Sequence, residues 1–378
     1  MLDLRVFALI CVMLGGMGQG VVSPQLPNIL KSSHQLALDS GISATLMYLG
    51  IFISTFRYGK WADQGRVHWL LGPGLFFYAI TLIVLGFATT TPVIFLTRFL
   101  EGLCLSAVYV AADFILGRLS SAPERGRWLS YYGVALSIGL LLGPAAALGG
   151  AHLTQVTGWG VSFNTPIMAL ATVAALALVL GLLSFQWRVP EIQEAFTAKS
   201  KLNPRALAAG GAYGYLEAAL VAVFPVLAVQ EFKVIPEYCL IAVIIAAALS
   251  SLGWGYASDK AGPRKIVKLL LTLLVLGPAA MILVAHGLGT TLTAFISCIL
   301  FGFLAGGLYP VSFAWLLESL PESQYGYASG SFARIYGLGS LIGPLAVGEA
   351  VQQWGAAGLF AAVSLAGAAV AVFVLSKN

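Results

Sequence analysis

Arg98, Glu101, Asp113, Glu217 and Arg334 stand inside long apolar stretches of a 378-residue chain. An ionised side chain in hydrocarbon costs roughly 3 kcal/mol or more, so such residues pair, line water or carry function. A carboxyl taken out of water can load and unload a proton near neutral pH. Glu101 and Glu217 are therefore candidate proton carriers. Arg98 lies three residues before Glu101, on the same helical face, and can modulate it by its charge. The bland alternative for that pair is a structural ion pair. For Glu217 it is a carboxylate that binds a cationic substrate without carrying protons. An arginine such as Arg334 suits an anionic group.

The elements that must hold these charges follow from composition. Hydrophobic residues make up 59% of the chain and charged residues 9%, against about 25% charged in soluble domains. Mean hydropathy is +0.91. A soluble globule could not cover its surface with so few charges. Cys11, Cys104, Cys239 and Cys298 lie in apolar runs without ligand spacing, and His34, His68, His152 and His286 are scattered. No metal site or cofactor is expected. No phosphate-binding glycine loop occurs, nor a Ser-His arrangement at a membrane face, so an enzyme is not expected. The chain reads as an all-α integral membrane protein.

A helix crosses the hydrocarbon with about 20 residues. Twelve apolar runs fit: 6–28, 41–59, 70–89, 92–117, 128–150, 161–186, 205–229, 238–256, 267–286, 290–317, 327–350 and 355–375. With the N-terminus inside, sixteen of the 20 Lys and Arg fall at cytoplasmic positions, and only Lys31 and Lys233 fall outside. That bias predicts both termini in the cytoplasm. It also makes the net charge of +5 a topology signal; nucleic acid is not an expected partner. The longest charged break, 187–204, divides a six-helix bundle at 1–186 from another at 205–378.

The halves echo each other. Gly59 and Asp63 recur as Gly255 and Asp259, Gly102 as Gly302, Pro24 as Pro225, and Gly139, Gly143 and Pro144 as Gly339, Gly343 and Pro344. The offsets run from 196 to 201 residues, which points to a duplication. Two pseudo-symmetric six-helix halves with a site between them are a transporter architecture. The buried charges break the repeat. Arg98 is matched by Cys298, Glu101 by Phe301, Asp113 by Phe313 and Arg334 by Val134, while at 201 residues Glu217 is matched with Gly16.

Over essentially its whole length the chain resembles a major facilitator superfamily transporter. The run from Gly255 through Asp259, Gly262 and Arg264 to Lys265 is similar to that family's loop motif, with a first copy at Gly59–Arg66 that is one residue shorter after the Asp. Arg98-Phe-Leu-Glu101-Gly102 resembles the family's helix 4 motif. Gly139-Leu-Leu-Leu-Gly143-Pro144 resembles the helix 5 motif associated with exporting antiporters. The resemblance implies that Asp63 and Asp259 latch helices that part as the protein switches, with Arg66 and Arg264 beside them. It also implies that helices 1, 4, 7 and 10 line the cavity. Gln19, Tyr109, Tyr213, Tyr215 and Tyr309 are then candidate substrate contacts, as is Arg334.

Depth separates the charges at about 1.5 Å per residue. Glu217 falls near the membrane midplane. Asp113 falls close to the cytoplasmic end of helix 4, where it is expected to meet Arg66 and Lys60 as part of an inner gate. The leading reading is a monomeric, proton-coupled exporter of a small organic molecule in a bacterial inner membrane. The alternative is a proton symporter that imports a sugar, an organic anion or a metal chelate.

Overall fold

The computed structural model describes residues 3–30, 34–63, 66–119, 128, 131–146, 165–184, 201–284, 289–318, 320 and 325–376. Every regular element in them is helical. The order is α1 (Leu4–Ile29), α2 (Leu36–Asp63), α3 (Val67–Phe87), α4 (Thr91–Leu119), α5 (Tyr131–Ala146), α6 (Thr165–Ser184), α7 (Pro204–Leu227), α8 (Pro236–Ala261), α9 (Pro263–Val284), α10 (Thr290–Leu317) and α11 (Tyr325–Leu375). Among the described residues, nine helical stretches are long and apolar enough to cross a membrane. Most of the expected linker, and both ends of the fifth and sixth runs, lie outside the described residues.

Local chemistry sets the helix ends. The Asp3 carboxylate accepts the Arg5 N–H at 2.9 Å and caps α1. The Arg5 guanidinium returns to that carboxylate at 2.6 Å and holds its pKa below the usual range. Asn203 caps α7 through the Arg205 N–H at 3.1 Å, with Pro204 in the first turn, where its missing N–H costs nothing. A single residue, Gly262, turns the chain from α8 into α9 at φ 86°, a conformation that favours glycine.

The boundary between the last two runs is visible in the backbone. Runs 327–350 and 355–375 both lie within α11, divided by a break at Gly355, where φ is 57°. The 46 residues Gly330–Leu375 would make about 70 Å of straight helix, over twice the hydrocarbon thickness. The break begins a new helix start, and Glu231 serves it. That residue lies in the π-helical turn Ala228–Phe232 after α7, and its carboxylate oxygens accept the Ala356 N–H at 3.0 and 3.1 Å.

The chain forms two compact units, Met1–Ser32 with Leu46–Ala195, and Ser33–Thr45 with Phe196–Asn378. The first turns of α2 thus group with the second unit, where the Thr45 hydroxyl donates to the Leu341 carbonyl at 3.0 Å. In the first unit α3 packs on α4 and α6; in the second, α7 packs on α11 and α8 on α10. Each unit holds helix crossings too close for any side chain. A Cβ on Gly139 of α5 would run into the Met13 carbonyl of α1, and one on Gly339 of α11 into the Gly211 carbonyl of α7. In hydrocarbon, where no hydrophobic force joins helices, such backbone contact supplies the packing energy.

These crossings align the repeat and correct one sequence match. Gly16 meets the Leu136 carbonyl as Gly214 meets the Tyr336 carbonyl, and Met13 corresponds to Gly211. For the first helices of the two units the offset is therefore 198 residues, not 201. Glu217 corresponds to Gln19, not to Gly16. Pro24 and Pro225, 201 residues apart, are therefore not equivalent and differ in position by almost one helical turn.

Gly339→Val should destabilise the protein by about 2 kcal/mol, the scale of overpacking a close contact. Thermal unfolding in detergent checks this against Gly330→Val, because a Cβ at Gly330 meets nothing within 4 Å.

Candidate functional site

In the first unit the charges at the start of the helix 4 motif form a buried pair. Arg98 Nη1 donates to Glu101 Oε2 at 2.6 Å, and Glu101 is 0% exposed. The i, i+3 spacing on α4 brings the two together. Arg98 Nη2 reaches the sulfur of Met47 on α2 at 3.1 Å. Gly102 lets α2 come that close, since a Cβ there would meet the Met47 carbonyl. Glu101 Oε1 and Arg98 Nε are buried without a hydrogen-bond partner. The carboxylate therefore keeps an unused acceptor in a place sealed from water. The Tyr78 hydroxyl donates to the Gly15 carbonyl at 3.2 Å.

In the second unit Glu217 is half-buried on α7, about 20 Å from its N-terminal end. The Tyr336 hydroxyl on α11 donates to Glu217 Oε2 at 3.0 Å. Tyr213 stands one turn before Glu217 on the same face. Its ring lies 5.1 Å from that of Tyr309 on α10 and stacks 5.7 Å from that of Tyr336. Tyr309 and Tyr336 meet edge-on at 6.2 Å. Phe332 and Phe313 continue the cluster, 5.3 and 6.5 Å from Tyr309. These centroid distances are those of favourable aromatic pairs. Gly210 makes room for the Phe332 ring.

The other expected residues are placed separately. Tyr215 lies two positions from Tyr213, so it turns to another face of α7, and it is half-buried. Arg334 is exposed on α11, likewise two residues from Tyr336 and off its face. Gln19 is half-buried on α1. Tyr109 packs beside Gly15, its ring 6.2 Å from that of Tyr132 on α5. Gly143, followed by Pro144, lies against Met17 and Gly20 of α1.

The expected gate residues are less connected. Asp113 is exposed, one turn beyond Tyr109 on α4, as is Arg66 at the start of α3. The ion pairs among the described residues are Asp3–Arg5 and Arg98–Glu101, so Asp113 and Arg66 are not joined. Asp259 and Arg264 are exposed and also not joined. Asp63 ends α2, and its side chain, like that of Lys60, lies outside the described residues.

Sequence reasoning missed Tyr336, the partner of Glu217. Its signal was present: at an offset of 200 residues it matches Leu136, so it too breaks the repeat in favour of a polar group.

The sequence profile of the Major Facilitator Superfamily matches residues 8–235 and 206–377. The chain belongs to the Major Facilitator Superfamily. That family is one of multi-pass membrane transporters of small molecules. Multidrug resistance protein 2 of Bacillus subtilis (strain 168) is 23% identical over 87% of this chain and 84% of its own length. Tetracycline resistance protein, class B, of Escherichia coli is 28% identical over 36% of this chain and 35% of its own length. A bacterial homologue of the human lysosomal transporter Spinster, solved inward-facing and occupied, superposes with a TM-score of 0.74 at 13% identity, covering 98% of this chain and 94% of that one. The nucleoside transporter NupG superposes with a TM-score of 0.72 at 16% identity, covering 99% of this chain and 98% of that one. These likenesses establish the superfamily's fold for the chain.

Removing one partner of a buried ion pair typically costs about 3–5 kcal/mol, whereas replacing both by apolar groups is close to neutral. Arg98→Met alone should therefore unfold at a clearly lower temperature in detergent. Adding Glu101→Leu should recover most of the loss. A double variant no more stable than the single would contradict the pairing.

Proposed function

We propose that this chain exports a small organic molecule in exchange for protons. The observation that carries this reading is the Glu101 carboxyl: it is 0% exposed, bonded on one side by Arg98 and left with a bare acceptor on the other. A scaffold needs no such charge, and Cys298 and Phe301 stand in place of Arg98 and Glu101 in the other half of the repeat. Glu101 and Glu217 are the two proton-carrying groups, with Arg98 tuning Glu101. The resistance functions in the names of the Bacillus subtilis and Escherichia coli relatives support the outward direction.

The topology proposed with it has twelve crossings in two six-helix halves, 1–186 and 205–378, joined by a cytoplasmic linker at 187–204. Both termini lie in the cytoplasm of a bacterial inner membrane, and the monomer is the working unit. The break at Gly355 supplies the turn between the last two crossings. Gating falls to Asp63, Arg66, Asp113, Asp259 and Arg264 at the loop motifs and to the Gly143-Pro144 crossing. Gln19, Tyr109, Tyr213, Tyr215, Tyr309 and Arg334 contact substrate. A reporter fused after Asn378 should be active only as a cytoplasmic fusion, and a periplasmic signal would overturn this arrangement.

Direction and coupling are read together in proteoliposomes loaded with a pH-sensitive dye and challenged with a panel of cationic, neutral and anionic solutes. An antiporter moves protons against the added solute, whereas a symporter moves them with it. In the antiport reading Glu101→Gln and Glu217→Gln should each abolish solute-driven proton movement. Wild-type proton movement in both would remove these carboxyls from coupling.

A further inference from the structure

Two cysteines meet where α8 packs along α10. A Cβ on Gly302 of α10 would run into the Val243 carbonyl of α8, and one on Gly306 into the Ala247 carbonyl. Residue numbers rise together along this contact, so the two helices run parallel, with an offset of 59 residues at both places. One helical turn before Gly302 and Val243, the same offset pairs Cys298 with Cys239. Both are free thiols, buried at 0% and 1% exposure, and one donates a hydrogen bond to the other. The repeat supplies a comparison. In the first unit Gly102 meets the Met47 carbonyl as Gly302 meets that of Val243. Arg98 therefore stands at the place of Cys298 and Ser43 at that of Cys239. The crossing itself does not require sulfur at either position.

We infer that Cys239 and Cys298 are a dithiol modification site, closed by a two-electron oxidation into a disulfide that ties α8 to α10. The glycine contact one turn away holds the two backbones close. That keeps the cysteines near the Cα separation of about 4.4–6.8 Å that a disulfide spans. The dithiol and the disulfide are both uncharged, so neither state carries the cost of a charge in hydrocarbon. Among the described residues no third His, Cys, Asp or Glu joins the pair in a metal site, which disfavours a tetrahedral metal. In the step, two S–H bonds break and one S–S bond forms, and two electrons and two protons pass to the oxidant. The oxidant is a neutral, membrane-permeant acceptor of the quinone or azodicarboxamide class, which takes them up as a hydroquinone or a hydrazine. Water is shut out of the pair, so a reagent that dissolves in the bilayer is favoured over a charged one. The bond joins residues 59 apart, and it stabilises chiefly by restricting the unfolded chain.

This site does not rest on the antiport reading. The test uses the full-length protein in proteoliposomes, treated with diamide, an azodicarboxamide. The protein is then denatured, alkylated with N-ethylmaleimide and digested for mass spectrometry. The expected product is one cross-linked peptide pair joining Cys239 to Cys298, lighter than the two peptides by two hydrogen atoms and separated again by dithiothreitol. Cys11 on α1 and Cys104 on α4 should stay open to alkylation. In detergent, followed by tryptophan fluorescence, the oxidised protein should unfold about 5 °C or more above the reduced form. Cys239→Ser should abolish both the cross-link and the rise. Should that variant fail to fold, the peptide analysis of the wild-type protein decides by itself. Alkylation of Cys239 and Cys298 after diamide would overturn the site, as would a cross-link from either to Cys11 or Cys104. A cross-link between Cys239 and Cys298 that leaves the unfolding temperature unchanged, or a rise that persists in Cys239→Ser, would overturn the tie between the helices.

Discussion

The cost of a charge in hydrocarbon governs the design of this chain. Most of its sequence avoids that cost by having no charge at all. At two places where a charge sits deep in a helix, the fold supplies specific contacts for it. Arg98 and Glu101 neutralise each other at 2.6 Å and draw α2 in through Met47. Glu217 takes a hydroxyl from Tyr336 and lies among rings. The two solutions differ in accessibility: Glu101 is fully buried, and Glu217 is half-buried.

The glycine crossings make those placements possible. Gly139 against Met13 and Gly339 against Gly211 bring α1 to α5 and α7 to α11 at backbone contact. Through the second of these crossings, Tyr336 on α11 reaches Glu217 on α7. A bulkier residue at Gly339 would separate the helices and lengthen that hydrogen bond. Packing and chemistry are thus coupled in one interface. The same scaffold in the first unit carries Gln19 and Leu136 at the equivalent positions, showing that the interface itself does not require the charge.

Helix existence was legible from hydropathy, because a crossing needs a long apolar run whatever its packing. Boundaries shifted by a few residues, as at α2, which extends from Leu36 to Asp63 beyond the apolar 41–59. The Arg98–Glu101 contact followed from i, i+3 spacing. Other features needed coordinates. The register of the repeat was misjudged because Pro24 and Pro225 are not at equivalent positions, and only the backbone crossings reveal the offset of 198 residues. Tyr336 was overlooked because tyrosine is unremarkable in an apolar helix until its partner is known. The helix cap from Glu231 to the break at Gly355 joins residues 125 apart in sequence, which no local pattern encodes.

If solute leaves in exchange for protons, a pH gradient must drive it. The direct measurement is solute uptake into proteoliposomes under an imposed pH gradient of either sign. Uptake when the interior is acidic, lost in Glu101→Gln, is the expected result. Uptake only when the exterior is acidic would contradict exchange.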